Sequence, residues 1–93
     1  SDLVLAFNDV NPEAPIHILV IPKEHIESIM DLKDSDSHLL YNIMEVINHV
    51  SKEKGIGSKG FRIVNNIGKD GGQTVSHMHF HVLGGRALQW PPG

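Results

Sequence analysis

Three histidines alternate with apolar residues in His77-Met78-His79-Phe80-His81-Val82-Leu83, and this run holds the most chemistry in the chain. On a strand, successive side chains point to opposite faces. Met78, Phe80 and Val82 then share one face, and His77, His79 and His81 the other. A rise of ~3.3 Å per residue puts neighbouring imidazoles about 7 Å apart. Three readings fit such a row. It could be the polar side of a half-exposed strand, although threonine or lysine would serve there as well. It could be a metal site, with His17 from another strand adding a fourth nitrogen. Against that, metal-bound histidines usually lean on carboxylates, and no acidic residue follows Asp70. The third reading is nucleophilic catalysis at phosphorus. Neutral imidazole is largely unprotonated at pH 7 and can carry a phosphoryl or nucleotidyl group, splitting one displacement into two. Neighbouring histidines can orient it, stabilise charge and protonate the leaving group. Directly upstream, Asp70-Gly71-Gly72-Gln73-Thr74-Val75-Ser76 offers backbone N–H groups and hydroxyls that can cradle phosphate oxygens. The contiguity of loop and histidine row favours this third reading.

The elements that must position these residues follow from local pattern. Leu3 to Phe7 reads as a short strand, closed by Asn8-Asp9 and a turn rich in breakers, Asn11-Pro12-Glu13-Ala14-Pro15. Ile16 to Ile21 is β-branched and almost wholly apolar, a buried strand that ends at Pro22. His25 to Met30 suits a short helical turn. Asp34-Ser35-Asp36-Ser37 supplies N-cap residues. Leu39, Ile43, Ile47 and Val50 trace one face of a helix of roughly four turns. Lys52 and Lys54 lie near its carboxyl end, and Gly55 stops it. Gly55, Gly57 and Gly60 spell G-x-G-x-x-G, but here the motif follows a helix and opens a strand, the reverse of a dinucleotide site, so it reads as a turn. Phe61 to Asn65 forms a third strand and His77 to Leu83 a fourth. The expected fold is α+β, with one long helix packed on one face of an antiparallel sheet of short strands.

Composition narrows the function classes. At 93 residues and 10.3 kDa there is room for one domain. With 8 basic and 11 acidic residues the net charge is 8 − 11 = −3, which argues against a nucleic-acid surface. There is no cysteine, so disulfides and thiolate metal sites are excluded. No apolar run approaches the ~18 residues of a membrane span, and no signal peptide is evident, which makes the cytoplasm the expected location.

The histidine row resembles the motif of the histidine triad (HIT) family of nucleotide hydrolases and transferases, His-x-His-x-His followed by apolar residues. Leu5-Ala6-Phe7-Asn8-Asp9, Pro15-Ile16-His17-Ile18-Leu19-Val20-Ile21-Pro22-Lys23, Gly71-Gly72-Gln73-Thr74 and Gly84-Gly85-Arg86 look like the same family. The ending Trp90-Pro91-Pro92-Gly93 is similar to the Hint branch, the adenosine phosphoramidase type. The resemblance implies one HIT-like domain over 1–93, lacking an N-terminal strand that family members carry.

It also implies roles. His79 is the nucleophile, His77 holds its ring through a main-chain contact, His81 binds phosphate and assists the leaving group, and His17 completes the cluster. Asp9 accepts from the ribose hydroxyls, as a carboxylate can twice over. Phe7, Asn8 and Val10 line the base and sugar pocket. Asn66, Gln73, Thr74 and Val75 contact the phosphate, with Gly72 in the same loop and Thr74 also near the leaving group. Trp90 meets a partner subunit near its active site. His25, His38 and His49 read as ordinary surface or helix histidines. The implied activity is metal-free hydrolysis of purine nucleoside phosphoramidates by a homodimer built on the long helix and a strand pairing, with no cofactor. An exposed sheet edge also favours pairing. The alternatives are a purine-nucleotide-binding or scaffold protein with vestigial catalysis, and a metal-dependent hydrolase.

Overall fold

The computed structural model describes residues 1–93. Four strands, β1 (Val4–Asn8), β2 (Ile16–Pro22), β3 (Arg62–Val64) and β4 (Phe80–Gly84), form one antiparallel sheet in the order β1-β2-β4-β3. The helix α1 (Ser37–Glu53) packs on one face. The expected α+β architecture is thus the observed one.

Alternation along the strands explains the layering. Ile18 and Val20 of β2 and Phe80 and Val82 of β4 point to one side and are buried against Leu39, Ile43 and Ile47 of α1. Val4, Ile26, Ile56 and Met78 complete this core. Burial of each such side chain is worth about 1.5–3 kcal/mol, so these few positions hold the sheet and helix together. The buried stripe on α1 advances by four residues and ends on Ser51, whose hydroxyl donates to the Asn48 carbonyl at 2.9 Å.

The G-x-G-x-x-G segment forms the turn that ends α1. The Ile56 and Gly57 amides both donate to the Ser51 carbonyl (3.0 and 3.2 Å), and Gly55 takes φ +72°, which a side chain would resist. Ile56 then drops back into the core over Gly84.

The short helical turn expected from His25 to Met30 forms at Ile29–Asp31, and the fourth strand starts later than expected. The fourth strand begins at Phe80, so His77 and His79 precede the sheet. The reason lies across the ladder. Val20 pairs with Phe80, so the next hydrogen-bonded pair in register, two residues on, would join Pro22 to Met78. Proline has no N–H to give a ladder. The Met78 amide instead donates to the Ile26 carbonyl at 2.7 Å. Side-chain alternation nevertheless continues, with Met78 buried in the core and His77 and His79 on the other side.

Candidate active site

The sheet face away from α1 carries a cavity of about 420 Å³ lined by Phe7, Asp9, Leu19, Ile21, Thr74, Val75, His77, His79 and His81. Phe7 and Leu19 are register partners on β1 and β2, and Leu19 and His81 are partners on β2 and β4, so pairing alone sets an apolar wall beside the imidazoles. His17 shares that face of β2 and is buried beneath, 6% exposed.

Hydrogen-bond partners assign the tautomers, because a neutral imidazole has one N–H and one lone pair. The Glu13 amide donates to His17 Nδ1 at 3.0 Å, so His17 carries its proton on Nε2. That Nε2–H faces His81 Nδ1 at 2.8 Å, with Asp9 Oδ2 3.5 Å away on the side. His81 Nδ1 therefore accepts, and His81 holds its proton on Nε2. His79 Nδ1 donates to the His77 carbonyl at 2.7 Å, which leaves the lone pair on His79 Nε2. The rings of His79 and His81 lie 5.1 Å apart, edge to face. A nitrogen lone pair and an N–H donor thus stand side by side, the pairing a displacement with leaving-group protonation requires. Burial, and then the charges that His79 and His17 can carry, hold the His81 pKa below its ordinary value of 6.5, while Asp9 pulls the other way. His81 is accordingly a neutral donor at pH 7.

The site residues expected from sequence divide into two groups. Phe7, Asp9, Thr74, Val75, His77, His79 and His81 line the cavity, with His17 behind them. Asn8, Val10, Asn66, Gly72, Gln73 and Trp90 do not. Asn8 pairs with Ile18 and shares its face, turned toward the carboxyl end of α1. Val10 and Trp90 are 89% and 80% exposed. Gly72 sits at the loop tip with φ +78°. Asn66 Nδ2 donates to the Gly71 carbonyl at 2.7 Å.

Gln73, expected at the phosphate, braces the loop in the free protein. Its Nε2 donates to the Glu27 and Val75 carbonyls (2.8 and 3.0 Å), and its Oε1 accepts from the Gly68 amide (2.9 Å). Both of its amide hydrogens are engaged within the protein.

Sequence reasoning missed four residues. Leu19 and Ile21 line the cavity; they share a face with His17 at spacing two, a signal hidden because the whole strand is apolar. Asn65, not Asn66, stands by the His79 backbone: its Nδ2 donates to the His79 carbonyl at 2.7 Å, and its Oδ1 is buried without a partner. His25 lies against His77, the Nδ1 atoms 3.4 Å apart.

The metal reading meets an obstacle in the same geometry. Asp9, His17 and His81 offer donor atoms within 4.8 Å of one another. To bind through Nε2, His17 would have to shift its proton to Nδ1, where the Glu13 N–H already points. The donor set does not fit a metal without breaking that bond.

Comparison with known proteins agrees with the fold and the histidine row. Residues 1–88 match the HIT domain family. An uncharacterized HIT-like protein of Synechococcus elongatus is 47% identical over 93 residues, covering 100% of this chain and 81% of the relative. The crystal structure of a HIT family hydrolase from Legionella pneumophila superposes with a TM-score of 0.97 at 46% identity, covering 100% of this chain and 83% of that one. A histidine triad protein from Clostridium difficile gives 0.91 at 52% identity, covering 96% and 77% of the two chains. With its motif, its fold and these relatives in agreement, the chain belongs to the HIT domain family.

Proposed function

We propose that this protein hydrolyses the P–N bond of purine nucleoside phosphoramidates through a nucleotidyl-histidine intermediate. The observation that carries this reading is the 2.7 Å bond from His79 Nδ1 to the His77 carbonyl, which leaves the Nε2 lone pair as the nucleophile. His79 Nε2 attacks the α-phosphorus and the P–N bond breaks. The departing nitrogen takes the proton from His81 Nε2. Water then attacks the phosphorus, the P–Nε2 bond breaks, and the proton lost by the water returns to His81. The products are an amine and a nucleoside monophosphate, and no step calls on a metal.

Phe7, Leu19, Ile21 and Val75 supply an apolar surface for a base. Asp9 Oδ1 accepts from the Asn11 amide at 2.8 Å, which leaves Oδ2 to receive a ribose hydroxyl. Thr74, on the cavity wall, contacts the phosphate or the leaving group in this reading. The protein acts as a homodimer: Tyr41 and Met44 on α1 and Ile63 on the edge strand β3 are exposed apolar side chains suited to a second copy. No helix is long and apolar enough to cross a membrane, and the cytoplasm, where nucleotides abound, is the proposed location.

The test is release of AMP from adenosine 5′-phosphoramidate in excess EDTA, beside a His79→Ala control. Release that survives the chelator and is lost in the variant supports the reading. Loss of release in EDTA returns the metal reading. AMP binding without turnover makes the protein a nucleotide binder.

A further inference from the structure

His77 and His79 precede β4 and lack a ladder partner, yet the nucleophile must be held still. The segment from Pro22 to Ile26 does the holding. The Pro22 carbonyl accepts from His77 Nε2 at 2.8 Å, so His77 carries its proton there. His77 Nδ1 is then an acceptor, and the atom 3.4 Å away, His25 Nδ1, must be the donor. The two rings meet edge to face with centroids 5.3 Å apart. The third hold is on the peptide joining His77 to Met78. Its N–H donates to the Ile26 carbonyl, and its C=O receives the His79 Nδ1–H, each at 2.7 Å. A peptide bonded at both ends is polarised, which strengthens the bond that fixes the His79 tautomer.

Two of these three holds come from main-chain carbonyls. The third is the side chain of His25, an exposed residue whose sequence context marks it as ordinary. Both ring nitrogens of His77 are thereby occupied within the protein, and the ring cannot itself trade protons with a ligand in the cavity. Its use is mechanical: clamped between Pro22 and His25, it fixes the carbonyl that sets the nucleophile.

We propose that His25 is a positioning residue, donating Nδ1–H to His77 so that the His77 carbonyl holds His79 with its Nε2 lone pair toward the cavity. His25 does not itself line the cavity and reaches the site only through His77. The turnover arm of the test rests on the phosphoramidase reading; the spectroscopic arm does not.

Three variants separate the possibilities. His25→Ala removes the ring and the donor. His25→Phe keeps a ring of similar breadth without the donor. His25→Asn puts an amide N–H close to where Nδ1–H stood. In the free protein, long-range 1H–15N spectra of the wild type should show His79 as one tautomer, protonated at Nδ1. In the Ala and Phe variants the two nitrogen resonances should move toward each other, as the ring samples both tautomers; in the Asn variant they should stay apart. On adenosine 5′-phosphoramidate, kcat should fall about 10-fold in the Ala and Phe variants, with KM nearly unchanged, and recover in the Asn variant, because misplacing a reacting atom costs rate more than binding. The proposal is overturned if His79 stays locked in both the Ala and Phe variants, or if His25→Asn does not restore the lock. If the wild-type protein turns over no phosphoramidate, the proposed reaction falls, and the tautomer spectra still decide the role of His25.

Discussion

Gln73→Ala should loosen the loop from Gly68 to Ser76 before any ligand is present. Gln73 makes three side-chain hydrogen bonds, to the Gly68 amide and to the Glu27 and Val75 carbonyls. Each lies near the surface, where the net worth of a hydrogen bond is about 0.5–1 kcal/mol, so their joint loss is about 1.5–3 kcal/mol. A main-chain bond from the Gln73 amide to the Gly68 carbonyl, 3.0 Å, remains and keeps the loss local. At ~1.4 kcal/mol per factor of ten, the Gly68 amide should exchange with deuterium about 10- to 100-fold faster in the variant. Gln73→Glu should be worse than alanine. It keeps an acceptor for the Gly68 amide but turns a carboxylate oxygen toward two carbonyl oxygens. Amide exchange of the free protein, read residue by residue, is the assay. An exchange rate at Gly68 that is the same in wild type and Gln73→Ala would refute the brace.

Three further outcomes follow from the packing and the site. His81 has a lowered pKa in the folded chain, so the unfolded chain binds more protons as pH falls below about 6.5. The stability this gives is present above that pH and is lost as pH drops through the folded value. His81→Asn should flatten the fall in urea midpoint between pH 7.5 and pH 5, and an unchanged slope would count against it. Gly84→Ala would set a Cβ 2.8 Å from Ile56 Cδ1 and 3.2 Å from its Cβ and Cγ2. The core must shift to admit it, at about 1–3 kcal/mol by urea denaturation, and a cost under half of that would show that Ile56 can move aside. Ile43 is fully buried at the centre of α1, so Ile43→Ala should cost about 2–5 kcal/mol in the same measurement, with the cavity and its histidines unchanged by NMR.

The fold was legible because its signals are periodic. The 39→43→47 spacing marked the helix, and alternation in β2 and β4 marked both the core face and the row of imidazoles. Gly55 and Pro22 marked their boundaries for reasons of backbone conformation and a missing donor. What was not legible depends on contacts between segments far apart in the chain. That Pro22 would also shorten the strand opposite follows only from the register that pairs Val20 with Phe80. Asn65 and Asn66 both follow β3, and only the folded chain shows that the first reaches the His79 carbonyl and the second the Gly71 carbonyl. Leu19 and Ile21 were hidden in a run apolar on both faces. The loop contacts of Gln73 include the Glu27 carbonyl, 46 residues earlier, which no local pattern shows. His25 is met by a residue 52 positions away, a separation that no local pattern spans.

The tautomers of this site are fixed mostly by main chain: the Glu13 amide for His17, the His77 carbonyl for His79 and the Pro22 carbonyl for His77. Main-chain groups survive almost every substitution. Position 13 can carry any residue that keeps its N–H, and only proline removes the bond outright. The side chains that would meet a base, Phe7, Leu19, Ile21 and Val75, belong to a separate set. The reactive nitrogen and the shape of the pocket can therefore drift independently. Such a scaffold can reshape its pocket through a few apolar replacements and keep its imidazole tautomers throughout, which makes it a tractable starting point for altering what the pocket binds.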